Sequence, residues 1–297
     1  MIVPLSLGFS SDFDLCRRLL FTGYGYNWFS SYGRIPSALF SFDVRVRNTI
    51  HIGLKAMRPP QAYTTRLHRW FDVARPTLFQ VLEYAPFQSS LWMYRIPKLN
   101  TTALALAFEH LLASGNQTLD KATSSNVTRH VLHFKNTAYN WLNFCRVLPP
   151  CYDGNKCVEH TQFGTIYFPD ADSLRLTLLL SNGKLMMVFW FIVADDFHVT
   201  SWNFGEFPTD LSPLSTEQRV TLSDTVSELE AAMASAVQFK LNAGRRIGNY
   251  NLAKCRDITD KSDQILADAL GLLKAWEDIE LYYAQTVKTD YSSDDDE

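Results

Sequence analysis

The sequence predicts an α/β fold, and three observations carry that expectation. The chain opens on a short apolar run, MIVPLSL, that reads as a buried strand. A helical segment, DFDLCRRLLF, follows behind Ser10 and Ser11. A loop then runs into VRVRNTIHIGLKA, where residues alternate in character from Val44 to Ile52. Alternation of period two marks a half-buried strand, and strand–helix–loop–strand is the order of α/β sheets. The bulk numbers agree. A chain of 297 residues, 46% hydrophobic and 20% charged, suits one large domain or two modest ones and argues against wholesale disorder. Aromatic residues make up 13%, so many rings must be buried or used at a contact surface.

Each element has its own signal. Ser10 or Ser11 caps the first helix, with Asp12 and Asp14 in the first turn, where the helix dipole favours anions. The glycines and Pro36 make TGYGYNWFSSYGRIPSALF read as a loop, with Gly23 and Gly25 as a turn. Arg58-Pro59-Pro60 ends the sheet-like part. Asn100 to Gly115 reads as a helix capped by Asn and stopped by Gly. NTAYNWLNFCRVLPP and SLRLTLLLSNGKLMMVFWFIV carry the apolar material of a second, mixed domain. From Ser215 to a Gly244 stop the spacing is helical, RRIGNYNLAKCRDIT is a connector, and Thr259 or Asp260 caps a last helix ending near Gln285. The acidic tail, DYSSDDDE, reads as frayed. A sheet opening on a buried first strand with nothing before it is expected to be part of something larger.

Composition narrows function. The net charge of −3 gives no global basic signal, but the acidic tail lowers that total without touching the folded body. No Gly-rich phosphate loop, HxxxH pair, GxSxG elbow or Cys/His dyad signature occurs. Cys145, Cys151 and Cys157 with His160 suggest a metal, but their separation of six residues does not match paired zinc ligands. The five cysteines are expected to be reduced thiols of a cytoplasmic protein, without a metal. The start lacks the basic and apolar regions of a signal peptide. Gly183 and Lys184 interrupt the most apolar run, so it reads as buried core rather than a membrane span. ADDFH, with Asp195, Asp196 and His198, reads as an acid/base or metal site or, more simply, as a polar turn.

The basic and aromatic residues are more informative. Arg34, Arg45, Arg47, Arg58, Arg66 and Arg69 share one short region with Tyr32, Phe40, Phe42, Tyr63 and Trp70. Cations interleaved with rings are what phosphate contact and base stacking require. A solvated strand face explains Arg45 and Arg47 equally well. GRRIGNYN adds a second basic turn at Arg245 and Arg246, read either as a phosphate contact or as a solvated loop.

IVPLSLGFSSDFDLCRRLL followed by FSSYGRIPSALFSFDVRVRNTIHIG resembles the later half of the catalytic domain in N6-adenine DNA methyltransferases. The likeness is to the large class in combined restriction–modification and phage-defence systems. There, a strand "IVP.S" follows the catalytic motif, a helix begins near "S....LR..L", and a loop "P..LF" precedes a strand "R..I.I". ITDKSDQILADALGLLKAWEDIELYY is similar to the family's closing segment, and AYNWLNFCRVLP and LLLSNGKLMMVFWFIVADDFHVTSWNFGEFP resemble its recognition region. The resemblance spans nearly the whole chain; its motifs are individually diffuse, and their order is the specific part.

The resemblance implies the C-terminal portion of a Rossmann-like methyltransferase sheet at 1–85. It further implies a mixed α+β target-recognition region at 86–212 and C-terminal helices at 213–289, before a tail at 290–297. It also implies that Phe40, or Phe42 one or two residues on, stacks on a flipped adenine. Arg34, Arg45, Arg47, Arg245 and Arg246 then lie near double-stranded DNA, and Asp195, Asp196 and His198 become base-edge or structural polar contacts. The family's Gly-rich cofactor motif and NPPY-type catalytic motif occur nowhere in the chain. The expectation is therefore a recognition part that relies on a partner polypeptide, or a missing N-terminal half, to bind S-adenosyl-L-methionine. The alternative is a DNA-binding specificity protein with no catalytic partner.

Overall fold

The computed structural model describes residues 1–40, 46–57, 59–114, 117–210 and 212–287. The architecture is mixed α/β, with three sheets among the described residues. Two compact units interleave along the sequence. Met1–Gly115, Trp190–Asp196 and Lys274–Glu297 form the first; Asn116–Phe189 and Phe197–Leu273 form the second. A boundary after residue 85 falls inside the first unit, and one after 212 falls inside the second.

The first unit contains β1 (Ile2–Pro4), α1 (Asp14–Gly23), β2 (Tyr26–Tyr32), β3 (Asn48–Leu54), β4 (Gln61–His68), β5 (Ala85–Phe87) and α2 (Thr102–Ala113). Its sheet runs β1-β3-β2-β4-β5, with β2 and β4 parallel and the other neighbours antiparallel. Phe21 of α1 packs edge-on against Phe29 of β2 at 5.6 Å and Phe87 of β5 at 6.0 Å, which fixes the helix on one sheet face. On the other face, Tyr26, Trp28 and Tyr63 form a row of near-parallel rings.

Four expectations change here. The first strand is not buried: β1 is an edge strand with Ile2 exposed, and the buried residues are Leu5 and Leu7 in the tight turn after it. YNWFSSY is not loop but a central strand, β2, because its glycines flank the aromatic run rather than interrupt it. The strand expected from Val44 begins at Asn48; Ser41 to Arg45 lie outside the described residues. Thr101, not Asn100, caps α2, its Oγ1 accepting the Leu104 N–H at 3.0 Å.

The second unit contains β6 (His130–Lys135), β7 (Phe144–Cys145), β8 (Cys151–Asp153), β9 (Lys156–Val158), β10 (Phe163–Phe168), α3 (Ala171–Asn182), the start of α4 (Lys184–Val193), α5 (Ser201–Gly205), α6 (Thr216–Ser235), β11 (Val237–Asn242), β12 (Arg245–Tyr250) and α7 (Arg256–Ala269). α8 (Trp276–Tyr282) belongs to the first unit. The two sheets run β10-β6-β7 and β11-β12-β8-β9. The apolar run forms α3 and α4, broken at Gly183 with 69° between them, and Leu185 to Val193 are buried. No single described helix is long and apolar enough to cross a membrane.

Two helical expectations fail. Residues 237–250 form a hairpin, and Gly244 is not a helix stop. Ala243 and Gly244 have φ of 49° and 81°, the two positive values that a tight two-residue hairpin turn needs. The last helix is two helices. α7 begins at Arg256, well before the expected caps at Thr259 or Asp260, and ends before Gly271, whose φ of 72° suits a glycine terminator.

Candidate nucleic-acid interface

The residues singled out in the sequence fall into three local settings. The first is the loop after β2. Gly33 N–H donates to the His68 carbonyl at 2.9 Å and Ser37 N–H to the Trp70 carbonyl at 3.1 Å, fastening the loop to the end of β4. Arg75 holds the next two residues: its guanidinium donates to the carbonyls of Leu39 at 2.9 Å and Ala38 at 3.1 Å. The same guanidinium lies 4.7 Å over the Trp70 ring and pairs with Asp72, so its own position is fixed. Tyr32, Trp70 and Leu78 form the buried cluster beneath, with Leu39 packed against it. Phe40, the next residue and the last one described before residue 46, is 40% exposed. An aromatic ring partly turned to solvent, next to a pinned backbone, is what a stacking contact needs. Phe42 and Arg45 lie outside the described residues, and Arg34 is half-buried.

The second setting is a buried charge cluster in the first unit. Arg47 precedes β3, its carbonyl accepting the Leu5 N–H at 3.1 Å. Its side chain turns inward, where Nε donates to Asp196 Oδ1; the side chains are 13% and 6% exposed. Burial pushes the Asp196 carboxyl above its ordinary value, while Arg47 and Arg69 oppose that push. Asp196 has a φ of 67°, a left-handed conformation that Asp tolerates better than most residues. Lys98, fully buried, belongs to the same environment: burial lowers its ammonium to about 7, against the pull of Asp196 and Asp195. Arg47 and Asp196 are thus a structural pair, with the charge of each turned away from solvent. Asp195 is half-buried beside them in sequence. His198 is exposed, belongs to the second unit, and stands edge-on to Phe197 at 4.8 Å.

The third setting is the sheet β11-β12-β8-β9. Register places Arg246 opposite Leu241 on one side and Tyr152 on the other. The Arg246 guanidinium lies 4.9 Å over the Phe239 ring and 5.5 Å over Tyr152. Arg245 points to the other face and meets Asp153 at 3.3 Å. Lys240, Arg245 and Arg246 are exposed, as are Phe239 and Leu241. An exposed ribbon carrying stacked arginine and rings offers both phosphate contacts and π-faces. The two-residue turn that presents it falls where the spacing predicts a helix and a connector. The alternation in QFKLN and RRIGNY is the signal that finds it.

Among the described residues, no group of three or more His, Cys, Asp or Glu is arranged to hold a metal. Cys145, Cys151 and Cys255 are buried thiols, while Cys16 and Cys157 are exposed. Apolar burial pushes the Cys145 thiol up to about 12, which makes it inert as a nucleophile near neutral pH. No protein-family model matches the chain, and no curated protein matches its sequence.

Proposed function

We propose that the chain is the DNA-recognition part of a site-specific adenine-N6 DNA methyltransferase of a restriction–modification or phage-defence system. It works with a partner polypeptide, or an N-terminal half, that carries the cofactor and NPPY-type motifs. The observation that carries this reading is Phe40, exposed next to a loop segment held by Arg75, Ser37 and Gly33. A base extruded from a duplex loses its stacking neighbours, and a fixed ring replaces them. The succession β1, α1, β2, pinned loop, β3 supports the reading in part: strand, helix, loop and strand keep the order of the resembling segments, with β2 inserted between the helix and the loop. The Arg246 ribbon adds a sequence-tolerant DNA contact.

The turn glycines Gly23 and Gly25 give no support to an S-adenosylmethionine site within this chain. Dinucleotide-type sites place their glycines where a strand turns into a helix. Gly23 and Gly25 instead join α1 to β2, a helix-to-strand connection in which Gly25 N–H donates to the Leu54 carbonyl at 3.0 Å.

Fluorescence anisotropy with duplex DNA, at low and moderate salt, tests the reading alongside calorimetry with S-adenosylmethionine. The expected result is duplex binding that weakens steeply with salt, with no cofactor heat from the chain alone. Tight stoichiometric cofactor binding, or an absence of duplex binding at low salt, contradicts it. The missing motifs equally favour a specificity protein without a catalytic partner. That alternative predicts that co-expression with the gene immediately upstream yields no adenine methylation.

A further inference from the structure

The first unit holds a cavity that DNA recognition does not use. It has a volume of about 440 Å³ and lies where the start of β4, the end of β5 and one side of α2 meet. That is the size range of small-molecule sites. Phe21, Ala62, Phe87 and Glu109 are its buried members, while Gln61, Gln88 and Leu106 are among those exposed at its rim.

Glu109 is the unusual member. Its side chain is buried, with the residue 5% exposed, and Oε1 accepts the Gln88 N–H at 2.6 Å and the Trp92 indole N–H at 3.1 Å. Both donors are neutral, and among the described residues no Lys, Arg or His lines the cavity. Buried carboxylates are ordinarily paired with a cation. The two donors hold the carboxyl group through Oε1 at the wall of the cavity. An anion is repelled here, and a purely apolar guest leaves the carboxylate desolvated without compensation. One carboxylate is too few for a metal ion. The buried rings of Phe21 and Phe87 provide apolar surface and π-faces next to the charge.

We propose that this cavity binds a small organic cation: a protonated amine or amidine on a flat apolar body. The cation pairs with Glu109 and the body lies against Phe21, Phe87 and Leu106. Calorimetry on the full chain with benzamidine, and with benzamide as its neutral counterpart of similar shape, tests this. Benzamidine is expected to bind one to one and at least about tenfold more tightly than benzamide, as for a hydrogen bond to a charged group. Glu109→Gln should weaken benzamidine by a similar factor. Leu106→Trp, at an exposed rim position, should block uptake while leaving the thermal midpoint unchanged. Equal affinity for the two probes, no benzamidine uptake at millimolar concentration, or unchanged binding in both variants overturns the proposal. Should Glu109→Gln fail to fold, the probe ratio and Leu106→Trp decide.

Discussion

Arg47 and Asp196 form a buried ion pair across 149 residues of sequence. The pair fixes the residue before β3 against the segment that follows α4, both within the first unit. Such a pair is worth little over apolar residues of similar size, but breaking it strands a charge. Asp196→Ala is therefore expected to cost about 3–5 kcal/mol in urea unfolding. Arg47→Met combined with Asp196→Leu should cost clearly less than that single change. A double variant as unstable as Asp196→Ala would show that the loss comes from packing rather than from the stranded guanidinium.

The ribbon arginine makes a different prediction. Arg246 is exposed and stacked on Phe239 and Tyr152 rather than buried in an ion pair. Arg246→Ala should weaken binding to duplexes of unrelated sequence by similar factors and lower the salt slope by about one. An effect confined to one sequence would instead make it a base-reading residue.

The turn between β11 and β12 carries a correctable strain. Ala243 sits at a φ of 49°, which a Cβ-bearing residue other than Asn or Asp adopts at a cost. Ala243→Asn gives the turn its preferred Asn-Gly pair and should raise stability by about 0.5–1 kcal/mol. A lower thermal midpoint in that variant would contradict the turn assignment.

Asp263 predicts a pH dependence. It is fully buried in the second unit, its Oδ2 accepting the Lys184 N–H at 2.6 Å, and burial pushes its carboxyl up to about 7. Between the ordinary value of 3.8 and about 7, the folded state holds a proton that the unfolded chain has released. Its stabilising contribution is therefore full at acid pH and lost as pH rises toward neutrality. Unfolding midpoints measured from pH 4.5 to 7.5 should fall more steeply for the natural sequence than for Asp263→Asn. Parallel profiles would place the proton elsewhere. His51 and His68, lowered by burial to about 4 and about 3, act in the opposite sense and are common to both proteins.

Local patterns in the sequence were readable where one segment decides its own structure. The α1 region and the α6 helix follow from spacing, and the Thr102–Ala113 helix from spacing and a cap placed one residue early; Ser10 caps the short turn Ser11–Phe13 ahead of α1 rather than α1 itself. β2 was missed because YNWFSSY lacks alternation: as a central strand it is buried on both faces for much of its length. The β11–β12 hairpin was missed because helix-favouring residues run unbroken to Ala236, and its turn lacks the usual Asn. At the candidate site, the exposed aromatic was visible in PSALF, but its fastening by Arg75 depends on a contact over more than thirty residues. Likewise, Arg47 reads as a strand-face cation until Asp196, remote in sequence, is brought to it. Glu109 reads as an ordinary helix residue; only the fold encloses it.

The most direct measurement is selection from a random duplex pool followed by sequencing, carried out with the natural sequence and with Phe40→Ala. The expected result is an enriched motif containing a fixed adenine. Phe40→Ala should weaken binding to that motif by about 1–3 kcal/mol, the worth of one stacked base, with no change in unfolding midpoint. No enriched motif, or an enriched motif bound equally well by Phe40→Ala, would contradict it.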